Sequence, residues 1–404
     1  MPATRRHFLE LLAGATIAPG LAPLLGGLSQ AASAARGEAK VMATVPFVEE
    51  GNFPLEATVG SGLGRRRALD LSTLPPATPV VPQDRFFIRT GRPDRLPPAA
   101  SWKVRVHGLV AAPAEIPIEE LERQAVPAGT HLIECAGNSR GAHFGLISVA
   151  EWTGVPLARV LDRVRPGRGA TQVLVSGFDE HGAPEPLSEP GASWIFGLDQ
   201  IRQSGAFLAT RMNGAPLDPD HGHPLRLVVP GWYGCTAIKW VNEIALVDDE
   251  APSTGQMREY AGRTHQDAVG AQDEQLIQAG RRPEGPPLAI DFWPATIDPA
   301  ALPVRVEKIA GDGGTVSYRV LGIAWGGPGP APALKIRFSA GSAFEPVAAA
   351  TAALPGGWTF WSHPFRPRAA GRYRIELALR DASVHARRLD VGYYAREIDI
   401  DRVS

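Results

Sequence analysis

The sequence predicts a two-part protein, an α+β fold followed by an all-β sandwich. Gly 44 and Pro 38 among 404 residues divide the chain into short elements joined by turns. From Thr78 to about Asp249, short apolar runs of both strand and helix period alternate between turn residues. After Pro303 the runs keep only the strand period of two. At ~100–200 residues per domain, the length suits two or three domains with ample cores.

Trp102–Gly108 alternates apolar and polar residues and reads as a strand ending in a turn. Ile118–Glu122 and Pro156–Val164 carry helical spacing. Val173–Gly177 and Leu225–Pro230 are apolar enough for buried strands, whereas 250–287 reads as an irregular surface connection. Beyond Pro303, Val304–Glu307, Val316–Val320, Leu334–Phe338 and Arg372–Leu379 are period-two strands of a sandwich. The loop Gly60–Arg67, with Arg65, Arg66 and Arg67 in a row, reads as a solvated linker.

Lys+Arg 41 against Asp+Glu 42 gives no basic face for nucleic acid. Only two cysteines exclude a disulfide scaffold, a zinc ribbon and a cysteine-ligated iron–sulfur cluster. At the N-terminus, Arg5-Arg6 precedes an uncharged apolar stretch from Leu11 to Leu28 that ends near Ala32-Ser33-Ala34. Gly14, Pro19, Gly20 and Pro23 break this stretch too often for a membrane span of roughly 20 apolar residues. The pattern resembles a twin-arginine export signal over 1–34, which implies a periplasmic protein folded around a cofactor before export.

Two segments carry chemistry. In His131–Gly141, Cys135 stands where an apolar strand meets a turn, followed by Gly137, Asn138 and Arg140. A cation near that sulfur favours thiolate, which serves as a nucleophile or a soft metal ligand. In Met212–Trp240, His221, Arg226 and Lys239 are donors suited to a phosphate or another large anion. His221 and His223 lack a third ligand at zinc spacing, and Cys235 reads as packing.

Cys-Ala-Gly-Asn-x-Arg, Met-Asn-Gly-x-Pro-Leu, His-Gly-x-Pro-Leu-Arg, Val-Pro-Gly and Lys-Trp occur here in that order, and the chain resembles the sulfite oxidase family of molybdenum enzymes. The similarity runs from about Thr78 to Tyr260, with a weaker tail beyond. It implies a molybdopterin dithiolene and Cys135 as ligands of molybdenum. It also implies pterin contacts from Phe87, Ile88, Arg89, Thr90, Gly91, Asp179, His221, Arg226, Ala237, Ile238 and Lys239. Arg89, Arg140 and Tyr260 match the substrate pocket. The implied organisation is a signal over 1–34, a leader over 35–77, a molybdopterin domain over 78–287 and an immunoglobulin-like dimerisation domain over 288–404.

The implied reaction is oxygen-atom transfer, foremost oxidation of sulfite or a related sulfur oxyanion, with a sulfoxide or nitrate reductase as the alternative. With no Cys-x-x-Cys-His haem motif, electrons are expected to pass to a separate c-type cytochrome. Thr359 stands where the family usually places a further pocket arginine. Two other classes remain open from the residues alone. One is a Cys135 nucleophile with His143 or His221 as base; the other is a secreted binding protein.

Overall fold

The computed structural model describes residues 40–76, 79–178, 192–266, 287–311, 314–327, 333–339, 341–351 and 354–401. The export signal and Asp179 lie outside these residues.

Four five-stranded sheets build the described chain. One holds Ala114–Pro117, Lys103–Gly108, Val241–Val247, Gln172–Gly177 and Ser193–Gly197 in that order. A second runs Ala215–Pro216, Phe207–Met212, Ile147–Pro156 and Val126–Glu134, with Arg226–Val228 also paired to Phe207–Met212. Against the second sheet, helix Leu157–Val164 buries Leu157, Val160, Leu161 and Val164, the i, i+3, i+4, i+7 stripe of an amphipathic helix. Helix Ile118–Gln124 places Glu119 and Glu120 in its first turn and Arg123 in its last, in register with its dipole.

The other two sheets are antiparallel. One is formed by Val41–Val45, Ala300–Ala310, Val316–Trp325, Thr359–Phe365 and Ala349–Ala350. The other contains Glu345–Pro346, Leu334–Arg337, Gly371–Leu379, Arg396–Ile400 and Phe47–Val48. Their alternating apolar residues are buried, among them Val306, Val320, Ile336, Ile375 and Ile398. All the strands expected after Pro303 are present here.

Two expectations need correction. The leader expected as a separate stretch over 35–77 sends Val41–Val45 and Phe47–Val48 into the C-terminal sheets. Arg65, Arg66 and Arg67 are not a solvated linker. Arg66 bridges to Val59 and Arg67 to Ile88, and Arg65 forms an ion pair with Asp220 at 2.9 Å. Among the described residues, no helix is long and apolar enough to cross a membrane.

Candidate active site

Cys135 follows directly on strand Val126–Glu134. Its N–H still pairs across the sheet, donating to the Leu146 carbonyl at 2.9 Å. The chain then turns sharply: the Asn138 N–H donates to the Cys135 carbonyl at 2.9 Å, and Asn138 Oδ1 accepts from the Leu146 N–H at 3.0 Å. The turn aims the sulfur into a cavity of about 290 Å³. The Gly137 N–H donates to Sγ at 3.3 Å. Burial pushes the Cys135 thiol up, against the opposing pull of Arg89, the Gly137 N–H and Arg263. The metal-free site thus holds a thiol, and a bound cation is what converts it to thiolate.

The expected residues converge on this cavity from four separate stretches: Phe87, Arg89 and Thr90; His221 and Arg226; Ala237 and Lys239; and Tyr260. Ile88, Gly91 and Ile238 do not line it. Ile88 exchanges backbone hydrogen bonds with Arg67, at 2.9 and 3.0 Å, and Ile238 accepts from the Leu227 N–H at 2.7 Å. They hold the walls from behind.

At one end the cavity is a cradle for an anion. Arg226 is buried and its Nε has no hydrogen-bond partner. Burial lowers its pKa to about 10. Its Nη1 donates to the His221 carbonyl at 3.4 Å, and the buried Nε left over is costly unless a ligand completes it. Gly222, at φ +107°, lies so close that a Cβ there would stand 3.1 Å from both Arg226 and Lys239. Lys239 Nζ donates to the Asp220 carbonyl at 2.9 Å and to the Thr90 carbonyl. The Asp220 carboxylate also reaches the cavity, but Arg65 and the Arg92 N–H occupy it and hold its pKa low.

Arg140 departs from its expected place. It does not line the cavity; its guanidinium donates to the Ala395 carbonyl and lies 3.9 Å from Glu50. The cations facing the sulfur are instead Arg89 and Arg263. Thr359 is buried in its strand opposite Ala324 and does not line the cavity either. The arginine that the C-terminal half brings to the cysteine turn is Arg388, which donates to the Ala136 carbonyl. Cys235, expected as packing, lines the cavity, as do Arg66, Gln256 and Glu259. The run of arginines at 65–67 was the one sequence signal for Arg66; Gln256 and Glu259 share the short helix Gly255–Glu259 that ends at Tyr260.

Tyr260 is buried, which pushes its phenol up and keeps the hydroxyl a donor. Among the described residues, no group of three His, Cys, Asp or Glu side chains converges to hold a metal. A metal at Cys135 therefore needs most of its ligands from a cofactor, and Arg226, with its unpartnered Nε beside Lys239, suits that cofactor's phosphate.

Residues 91–255 match the oxidoreductase molybdopterin binding domain. The chain thus carries a molybdopterin-binding oxidoreductase domain, and over it is similar to the sulfite oxidase family. It is 35% identical over 200 residues to an NADPH nitrate reductase of Mycosarcoma maydis, covering 43% of this chain and 20% of that one. It is 31% identical over 202 residues to sulfite oxidase of Gallus gallus, covering 45% of this chain and 43% of that one. The chain thus spans less than half the length of these curated relatives. In fold it matches the sulfane dehydrogenase SoxCD from Paracoccus pantotrophus, with TM-score 0.60 and 19% identity over 81% of this chain and 78% of that one. The family's cofactor is molybdenum held by molybdopterin, and the site's donor set fits it.

Proposed function

We propose that the protein oxidises sulfite or a related sulfur oxyanion by oxygen-atom transfer and passes the electrons to an external cytochrome-like acceptor. The observation that carries this reading is the pairing of a buried sulfur, Cys135, with arginine side chains in one cavity, Arg89 and Arg66 among its lining. When bound, molybdopterin would supply the molybdenum that accepts two electrons. Sulfite gives up two electrons and gains one oxygen, ultimately from a water molecule whose two protons are released.

The chain's own residues divide the work. Cys135 would ligate the metal through sulfur, and Arg226, Lys239 and His221 would hold the cofactor's phosphate end. Arg89 would draw the oxyanion in by charge-assisted hydrogen bonds, and the Tyr260 hydroxyl would donate to an oxygen beside the metal. Burial keeps bulk water away and strengthens each of these interactions. The reading includes export to the periplasm, a molybdopterin domain over 78–287 and an immunoglobulin-like dimerisation domain over 288–404.

The nitrate reductase relatives support one second reading, a reductase on the same scaffold. Two assays on cofactor-loaded protein separate them: sulfite-dependent reduction of cytochrome c, and nitrate- or sulfoxide-dependent oxidation of a reduced viologen dye. Activity in the first alone is expected, and activity in the second alone would transfer the assignment to the reductase. Cys135→Ser should abolish turnover and lose molybdenum; a fully active, metal-replete variant would remove the cysteine from the site.

A further inference from the structure

The turn that presents Cys135 is held from the far end of the chain. Arg388, from the short helix Arg387–Asp390, donates through Nη2 to the Ala136 carbonyl at 2.5 Å and to the Arg263 carbonyl at 3.1 Å. Its guanidinium lies 5.2 Å from the ring centres of both Tyr233 and Tyr393. The Tyr393 hydroxyl donates to the Asn138 carbonyl at 2.7 Å. Residues 136 and 138, just after the cysteine, are thus both held by one C-terminal segment.

Glu134, immediately before the cysteine, is 0% exposed. Its carboxyl accepts from Trp325 Nε1 at 2.7 Å, the Tyr394 hydroxyl at 3.2 Å and Asn138 Nδ2 at 3.4 Å. Arg388 Nη1 lies 4.0 Å from this carboxyl, an ion-pair distance beyond the three hydrogen-bond donors. Both oxygens of this carboxyl accept hydrogen bonds, Oε2 from Trp325 and Oε1 from Tyr394 and Asn138; glutamine would turn two hydrogens toward donors.

We propose that Glu134 and Arg388 are positioning residues, a buried pair through which the C-terminal segment fixes the turn carrying Cys135 and so the direction of its sulfur. The proposal rests on the reading of Cys135 as the metal-binding residue, and it concerns the protein part of the site alone.

The test uses the full-length chain made in cells unable to synthesise the cofactor. Iodoacetamide labelling of Cys135 is followed by peptide mass spectrometry, with Cys235 in the same cavity as the internal reference. Arg388→Met and Glu134→Gln should raise the Cys135-to-Cys235 labelling ratio about tenfold, as the turn opens locally. Arg388→Lys, which keeps the charge but not the fork, should fall between these and the parent protein. If either of the first two variants does not fold, Tyr393→Phe removes only the bond to Asn138 and should still raise the ratio by roughly fivefold. An unchanged ratio in folded Arg388→Met, or in Tyr393→Phe, overturns the proposal. In loaded protein, the sulfur-to-metal charge-transfer band should shift in Arg388→Lys while molybdenum content stays level. A shifted labelling ratio combined with a metal-replete Cys135→Ser would keep the brace and discard the ligand reading, so the two failures are separable.

Discussion

Nε2 of His221 lies 2.9 Å from the carbonyl oxygen of Gln83, and that contact decides which ring nitrogen holds the proton. A carbonyl only accepts, so Nε2 is the donor and Nδ1 of the neutral ring is bare. Burial, followed by the charges of Arg226 and Lys239, lowers the imidazole pKa to about 3. His221 therefore gains a second donor only by taking up a proton, and an anion that offsets Arg226 and Lys239 makes that uptake easier.

Cofactor-free protein should consequently show a His221 resonance that does not titrate between pH 5 and 8, and inorganic phosphate should move its pKa upward. The sign for stability follows from a folded pKa below the ordinary 6.5. The contribution is fully present above about pH 6.5 and is lost as pH falls toward 3, at up to ~1.4 kcal/mol per pH unit. Urea unfolding at pH 5 and 7 should show this loss in the parent chain and a smaller one in His221→Asn. Equal losses in both would place the titration elsewhere.

Arg226→Met separates binding from folding. Removing a buried guanidinium with an orphaned Nε should leave the cofactor-free chain as stable as before, or more so. Pterin content of the purified protein should drop at least tenfold, from the loss of a charged donor of ~1.5–3 kcal/mol. Thermal unfolding and fluorescence of released pterin measure the two effects side by side.

Arg89 and Arg140 should behave oppositely, although the family resemblance implies a place in the substrate pocket for both. Arg89→Gln removes a cation from the cavity and should raise KM for sulfite, on the order of tenfold or more. Arg140→Gln should leave KM within about twofold, costing instead ~1 kcal/mol through its lost bond to Ala395. Steady-state kinetics with urea melts on both variants would show the contrast, and a raised KM in Arg140→Gln alone would reverse it.

Tyr260→Phe keeps the ring and deletes the hydroxyl. Because that hydroxyl stays protonated across the working range, no new pH limb should appear in the rate profile. The expected change is a fall in kcat of roughly ten- to a hundredfold with little change in KM, as for a group acting in the transition state. A rise in KM with kcat preserved would make Tyr260 a binding residue only.

Much of this was legible from local pattern. The strand at Lys103–Gly108, the helix at Leu157–Val164 and the runs after Pro303 follow from hydrophobic period, which short-range sterics and burial enforce. The family motifs pointed to Cys135, His221, Arg226 and Lys239, and the structure brings all four to one cavity. Arg140 was misplaced because proximity in sequence says nothing about which way a side chain leaves a turn. Arg66 looked like a solvated residue because its neighbours, Leu63 and the cavity wall, come together only in the folded chain. Glu134, Arg388 and Tyr394 are separated by up to 260 positions, and no local pattern links them.

Phe47 lies opposite Ile398 and Val45 opposite Val306. Loop closure across such separations is slow, and neither pairing exists until its later strand has been synthesised. The early segment must therefore wait unpaired, Val41–Val45 until residues 306–309 are made and Phe47–Val48 until residues 397–398 are made. Its exposed Val41 and Met42 would be open to capture by a chaperone during that interval. A ribosome-bound chain stalled before residue 396 should thus leave Phe47–Val48 accessible to protease, and release of the last strand should protect it.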